Sequence, residues 1–513
     1  MNVFHQARLG WIERVAASTM VSPLIVFGCL AAFSALSCLN GTYYDDEISS
    51  IAWATLPFPN ILESIGYFNS HDIHPPASYL FNKFAFDALG NWKAVKFVNG
   101  ALNAASIAWF HRYNINHIAQ RERIVLTFVL ATAVTSEMWG TGLRWNAYFN
   151  PIFLVLYTVA LSNWLSVTGR AAVLGAGTVL LFHTSYLTIV AAPVLWGVFF
   201  VRAHHDLRPS SVAPIALILF AVVVACLPQL YVMLTAHWSS YVTTHSFSIL
   251  YSIAQSVSTL ALGTAVFPID YIPVLFLSLL AAAFVSSLKK NLHDDYVQVL
   301  FGSVLLGLIL LIVTRVGIEG RNAVFLYPIA LVLIAIAISR APKLVRYPAM
   351  AVLVLFQLTS VYNFVFHHDT SKGSFNAPFA RAMAEISGIK SGCLGTLHVF
   401  TRDPVLSHLM LTAGENVSSP YARSTSKTIS VRKDDCVVVV HTFRAAPVPD
   451  LIALAESQLR LESFQKLQAT NLEYDRFHAI KSWLSGESYP DYYITIDVYR
   501  ALRDATLSDW FFL

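Results

Sequence analysis

The sequence predicts a polytopic α-helical membrane protein that ends in a water-soluble α/β domain. Three observations lead there. Of 513 residues, 56% are hydrophobic and only 12% are charged, about half the charged share of an ordinary soluble protein. The apolar residues gather in stretches of the length a bilayer requires, about 20 residues each. Beyond about His367 the composition turns polar and the pattern alternates between helical and strand periods. A soluble enzyme, a disordered scaffold and a coiled coil are excluded, because each needs a polar exposed face. The net charge of +4 is small and dispersed, which leaves no footprint for a nucleic-acid partner. Five cysteines are too few and too scattered for a disulfide framework or a zinc site.

The expected spans are 21–39, 93–111, 123–138, 145–165, 171–185, 186–201, 212–232, 271–287, 297–314, 323–339 and 347–366, about eleven in all. Basic residues set their orientation. Arg8, Arg14, Arg112, Arg121, Arg123, Arg170, Arg202, Arg208, Lys289, Lys290, Arg340, Lys343 and Arg346 fall on one side if the N-terminus is cytoplasmic. The opposite loops hold Asp45, Asp46, Glu47, Glu63, Asp72, Glu137 and Glu319. Segment 247–267 could be a further span, but counting it would send the later basic loops outside; it reads as a helix along the outer face. Segments 51–66 and 76–89 are apolar but broken by Pro57, Pro59, Asn82, Lys83 and Asp87, and read as juxtamembrane helices. Trp139, Trp145 and Trp238 read as interface-belt residues.

The expected division is a transmembrane domain over 1–366, with a first outer loop at 40–92, and an extracytoplasmic domain over 367–513. In the latter, Phe379–Ile389, Pro404–Thr412 and Asp450–Leu461 read as helices. Cys393–Phe400, Cys436–Thr442 and Tyr492–Val498 read as strands. Cys393 and Cys436 each open a strand in a presumed oxidising compartment, so a disulfide between them is expected.

Chemistry concentrates in the first outer loop. It runs Tyr43-Tyr44-Asp45-Asp46-Glu47 and later His71-Asp72-Ile73-His74-Pro75-Pro76-Ala77-Ser78-Tyr79. Consecutive carboxylates at a bilayer surface, flanked by aromatics and followed by an apolar helix, are candidates for function rather than a solvated turn. His367-His368-Asp369 stands alone at a span end and reads as no metal site.

This loop resembles that of the GT-C-fold membrane glycosyltransferases that use polyprenyl-phosphate sugars. The protein-mannosyltransferase-like and aminoarabinose-transferase-like branches are the most similar. Asp46-Glu47 matches their Asp-Glu pair, and His74-Pro75-Pro76 matches their His/Lys-Pro-Pro element. Leu143 to Tyr148 is similar to their Arg…Tyr element, Phe182 to Tyr186 to their His-Tyr turn, and Gly320 to Pro328 to their late Arg-Tyr element. Asn322 departs from the usual aromatic after the late arginine.

The resemblance implies a GT-C fold and an inverting transfer of a sugar from a polyprenyl-phosphate donor to a lipid, glycan or protein acceptor. Asp46 is then the base, supported by Glu47 or Asp45. Arg321 and His74 then hold the donor phosphate, for which Lys83, a lysine facing the outer leaflet, is a further candidate apart from the resemblance, and Asp72, Tyr79, Arg144, Tyr148 and His183 line the substrate site. No cofactor is expected, although paired carboxylates could also hold a divalent ion. Glu137 could orient Arg144 or be a solvated span end. The expected setting is a bacterial inner membrane, with the C-terminal domain periplasmic. A transporter or flippase of a lipid-linked sugar is the rival class; it should carry ionisable groups within its spans, whereas here they cluster at span ends.

Overall fold

A computed structural model describes residues 19–40, 75–232, 271–314, 320–366, 379–401, 417–418, 428–442, 464–473 and 493–508. It also describes single positions between them, among them Glu47, Ser50, Ile51, Ser256, Leu260 and Leu406. The chain divides into two compact units, Met1–Gly41 with Ser50–Thr370, and Thr42–Ser49 with Ser371–Leu513.

The first unit is helical. Its helices are α1 (Val21–Asn40), α2 (Ala77–Leu89), α3 (Trp92–Asn114), α4 (Gln120–Ala131), α5 (Val134–Gly140), α6 (Asn146–Leu161) and α7 (Val167–Thr184). They continue as α8 (Thr188–Ala203), α9 (Pro209–Val232), α10 (Tyr271–Leu292) and α11 (Asp295–Val313). A 3-10 segment (Gly320–Leu326) then leads into α12 (Tyr327–Arg340) and α13 (Lys343–Phe366). Polar caps start several of them. The Asn91 side chain accepts from the amides of Lys93 (2.8 Å) and Ala94 (3.3 Å), and Asp294 accepts from those of Tyr296 (3.1 Å) and Val297 (3.3 Å).

Each stretch read as a span is largely helical, though not always one helix. By length and composition, five helices among the described residues could cross a membrane. The expected span 123–138 is two helices, α4 and α5. At the break, the Thr132 hydroxyl turns back onto the carbonyl of Phe128 at 2.8 Å, a local bond that competes with the helical ladder. Segment 247–267 is described only at isolated positions, where Ser256 and Leu260 are helical and buried.

α12 and α9 show the two environments of this unit. α12 is buried from Tyr327 to Ser339 and packs against α4, α10, α11 and α13. α9 is at least as apolar yet exposed, with Leu217 at 67% and Phe220 at 66%. Such a surface is unstable in water and satisfied in lipid, so the first unit is a helical membrane body. Two aromatics depart from expectation. Trp139 and Trp145 are buried, and Trp145 packs edge-on against Phe149 at 5.5 Å. They are core residues and not a belt.

The second unit contains α14 (Phe379–Gly392) and strands β1 (Leu397–Thr401), β2 (Val417–Ser418), β3 (Thr428–Val431), β4 (Cys436–Thr442), β5 (Phe464–Glu473), β6 (Tyr493–Ala501) and β7 (Ala505–Ser508). One sheet has the order β2-β1-β4-β6-β5, and β3 pairs with β7 apart from it. β1 runs parallel to β2 and β4, and β6 antiparallel to β4 and β5. β4 contributes the continuous run Val437–Val440, buried as a central strand requires. Cys393 and Cys436 form the expected disulfide, with Cα atoms 6.0 Å apart. Beside it, Asp435 accepts from the amides of Thr396 (2.7 Å) and Arg432 (2.8 Å) and from His398 Nε2 (3.2 Å). Burial alone would raise the Asp435 pKa. Those amides and His398 outweigh it and hold the carboxyl below its usual range. Expected helix 450–461 lies outside the described residues.

Candidate active site

Pro75-Pro76 leads into α2, where missing N–H groups cost nothing because the first helical turn has no partners for them. The Pro76 carbonyl instead accepts from the amides of Tyr79 and Leu80, both at 3.1 Å. Ser78, Tyr79 and Asn82 then share the buried stripe of α2.

Asn82 organises the surroundings. Its Nδ2 donates to the carbonyl of Leu143 at 2.6 Å, and its Oδ1 accepts from the Tyr148 hydroxyl at 2.7 Å. On α3, Asn99 Nδ2 donates to the carbonyl of Gly142 at 3.0 Å. The turn between α5 and α6 has no ladder to satisfy its buried carbonyls. Two asparagines from separate helices supply the donors, one residue apart, just before half-buried Arg144. The Phe81 ring lies 5.0 Å from that of Tyr148 and adds to the same contact.

Glu137 underpins this turn. It is fully buried, accepts from the Ser34 hydroxyl on Oε1 and from Asn103 Nδ2 at 2.8 Å on Oε2. It therefore ties α1, α3 and α5 together; the solvated-end reading is corrected. Close approach is built in. A Cβ on Gly140 would lie 2.5 Å from Asn103 Cγ, and one on Gly100 2.6 Å from Thr141 Cγ2. On α6, Phe149 and Phe153 pack against Phe325 of the 3-10 segment, with centroids 5.9 and 4.7 Å apart. That segment's backbone carries Arg321, whose side chain lies outside the description.

The structure thus brings Tyr79, Arg144 and Tyr148 to one end of the helical unit. Lys83 is on α2 and pairs with Asp87 at 3.3 Å. His183 is half-buried in the last turn of α7. Glu47 is helical, fully buried and grouped with the second unit. Asp45, Asp46, Asp72 and His74 lie outside the described residues. Sequence reasoning missed Asn82, Asn99 and Asn103 as positioning groups. For Asn99 and Asn103 the signal available was two amide residues four apart in an apolar helix; Asn82 had none.

No family model matches the chain, and no curated protein sequence matches it. Solved structures do. ArnT from Cupriavidus metallidurans bound to undecaprenyl phosphate aligns with a TM-score of 0.51 and 11% identity, over 92% of this chain and 97% of that one. The same protein in the apo state aligns at 0.48 with 12% identity, over 96% and 98%. The Archaeoglobus fulgidus oligosaccharyltransferase in complex with zinc and sulfate aligns at 0.44 with 10% identity, over 77% and 62%. The first likeness shows the fold of this chain, the GT-C fold of a helical membrane protein.

Proposed function

We propose that this protein is an inverting glycosyltransferase that moves a sugar from a polyprenyl-phosphate donor to a lipid, glycan or protein acceptor on the outer face of a bacterial inner membrane. The observation that carries the reading is a junction. Pro75-Pro76 opens α2, and α2 is bonded through Asn82 to the turn that bears Arg144 and to Tyr148. The helix that follows one sequence element of the resemblance is thus bonded to another such element, which supports the reading. The shared GT-C fold supports the same reading.

The chemistry follows from the donor. A sugar linked through its anomeric carbon to a phosphate already has a good leaving group. Asp46, supported by Glu47 or Asp45, takes the acceptor hydroxyl's proton as its oxygen attacks the anomeric carbon. The carbon–oxygen bond to phosphate breaks, and polyprenyl phosphate leaves with its electron pair. Arg321, His74 and Lys83 stabilise that phosphate, Arg321 by a planar fork. Asp72, Tyr79, Arg144, Tyr148 and His183 shape the substrate site; the Tyr148 hydroxyl does so by holding Asn82. One displacement inverts the anomeric centre. The domain assignment, 1–366 membrane-embedded and catalytic and 367–513 periplasmic, belongs to the same proposal. The test is turnover of synthetic polyprenyl-phosphate sugars by wild type and Asp46→Asn. Asp46→Asn should turn over about 10²-fold more slowly or worse with donor binding retained; equal turnover would remove Asp46 as the base.

A further inference from the structure

Asn146 and Asn150 lie in the first two turns of α6 and are 2% and 5% exposed. Among the described residues, the Nδ2 of each is buried without a hydrogen-bond partner. Carboxamides are rare and costly in a membrane body, and an unpaired buried one calls for a partner. Four residues apart, they share one helix face, and Phe149 and Phe153 complete the stripe. That stripe is the one packed on the 3-10 segment through Phe325, the segment whose backbone carries Arg321.

We propose that Asn146 and Asn150 form the edge that reads hydroxyl groups on the donor's sugar, which selects a neutral hydroxyl-bearing ring. This rests on the glycosyltransferase reading and deepens it. A phosphate calls for guanidinium or ammonium partners. A carboxamide is neutral and carries both a donor and an acceptor. A hydroxyl also donates and accepts, so it pairs with the amide whichever way the amide is turned. Two amides on one face can contact two hydroxyls of one ring.

The test measures equilibrium binding to the full chain in detergent. The probes are farnesyl phosphate, farnesyl-phosphoryl glucose, galactose and mannose, and their mono-deoxy analogues. Wild type should bind one hexose conjugate more tightly than farnesyl phosphate. Asn146→Leu and Asn150→Leu should each weaken that conjugate by about 10-fold, leave farnesyl phosphate unchanged, and keep or raise the ligand-free melting temperature. At least one mono-deoxy analogue should reproduce the loss on wild type and bind equally to a variant. The inference is overturned if the variants bind the conjugate like wild type. It is also overturned if both probes weaken together with a lower melting temperature, since the amides would then be scaffold. Should the variants fail to fold, the deoxy series on wild type decides: uniform affinity across it overturns the inference. A wild type that consumes donor but binds the mono-deoxy series with uniform affinity refutes this inference alone. A wild type that turns over no polyprenyl-phosphate sugar refutes the glycosyltransferase reading as well.

Discussion

At one end of the helical unit, Arg340 gathers Glu122 and Asp294, each at 2.7 Å, and Asn291 at 3.3 Å. Nearby, Arg170 donates to the carbonyl of Ser162 at 2.7 Å and to Asn163 at 3.2 Å. At the other end, Asn82, Asn99 and Asn103 do the joining, to two carbonyls, a tyrosine and Glu137. At the first end Arg340 makes charge-assisted bonds to residues distant in sequence, while Arg170 bonds locally and keeps its Nε without a partner among the described residues. The second uses neutral amides and leaves those of Asn146 and Asn150 without partners. One end is joined by charged groups and the other by neutral amides.

Removing one partner from each junction tests that contrast. Arg340→Ala leaves buried Glu122 and half-buried Asp294 with only backbone-amide partners, and should destabilise the protein by about 3 kcal/mol. Arg340→Lys should restore part of that loss in a detergent melt. Full stability of Arg340→Ala would remove the clamp. The disulfide joins residues 43 apart, so Cys393→Ser should cost the second unit about 2–4 kcal/mol, read as faster hydrogen exchange in β1 and β4. Asn103→Ala leaves a Glu137 oxygen unsatisfied and should cost about 1–3 kcal/mol. It should also lower turnover by loosening the turn before Arg144; unchanged kinetics would separate that network from the site. Smallest is Asp435→Asn, about 1 kcal/mol at neutral pH. The native pKa of Asp435 lies below its unfolded value. Its contribution is therefore complete above about pH 4 and lost as pH falls through the native value. Exchange protection of wild type and variant should converge in acid; a gap that persists there would contradict the assigned cause.

Much of the fold was legible because hydropathy is a local signal. The span stretches are largely helical, and β4 runs Cys436–Thr442 as its β-branched composition implied. β5 was missed because its face is polar, FQKLQATNLE, as an edge strand paired only to β6 permits. The break at Thr132 was missed because the flanking residues are as apolar as a continuous helix. For the site, Tyr148 and Arg144 were readable as motif residues. The amides that place them were not, because Asn82 and Asn99 bond to carbonyls 61 and 43 residues away. No local pattern encodes such a pairing. α9 and α12 teach the same lesson, since similar hydropathy covers a lipid-exposed helix and a fully buried one. Hydropathy reports preference for an apolar medium and not which medium supplies it.

The measurement closest to the central claim follows both products of one turnover. Purified protein in detergent is given a radiolabelled polyprenyl-phosphate sugar and an acceptor mixture from a bacterial envelope. Release of free polyprenyl phosphate, matched by label in the acceptor fraction and lost in Asp46→Asn, is the predicted result. Donor that stays intact in detergent but crosses the bilayer of a reconstituted vesicle would contradict the account and make the protein a carrier of lipid-linked sugar.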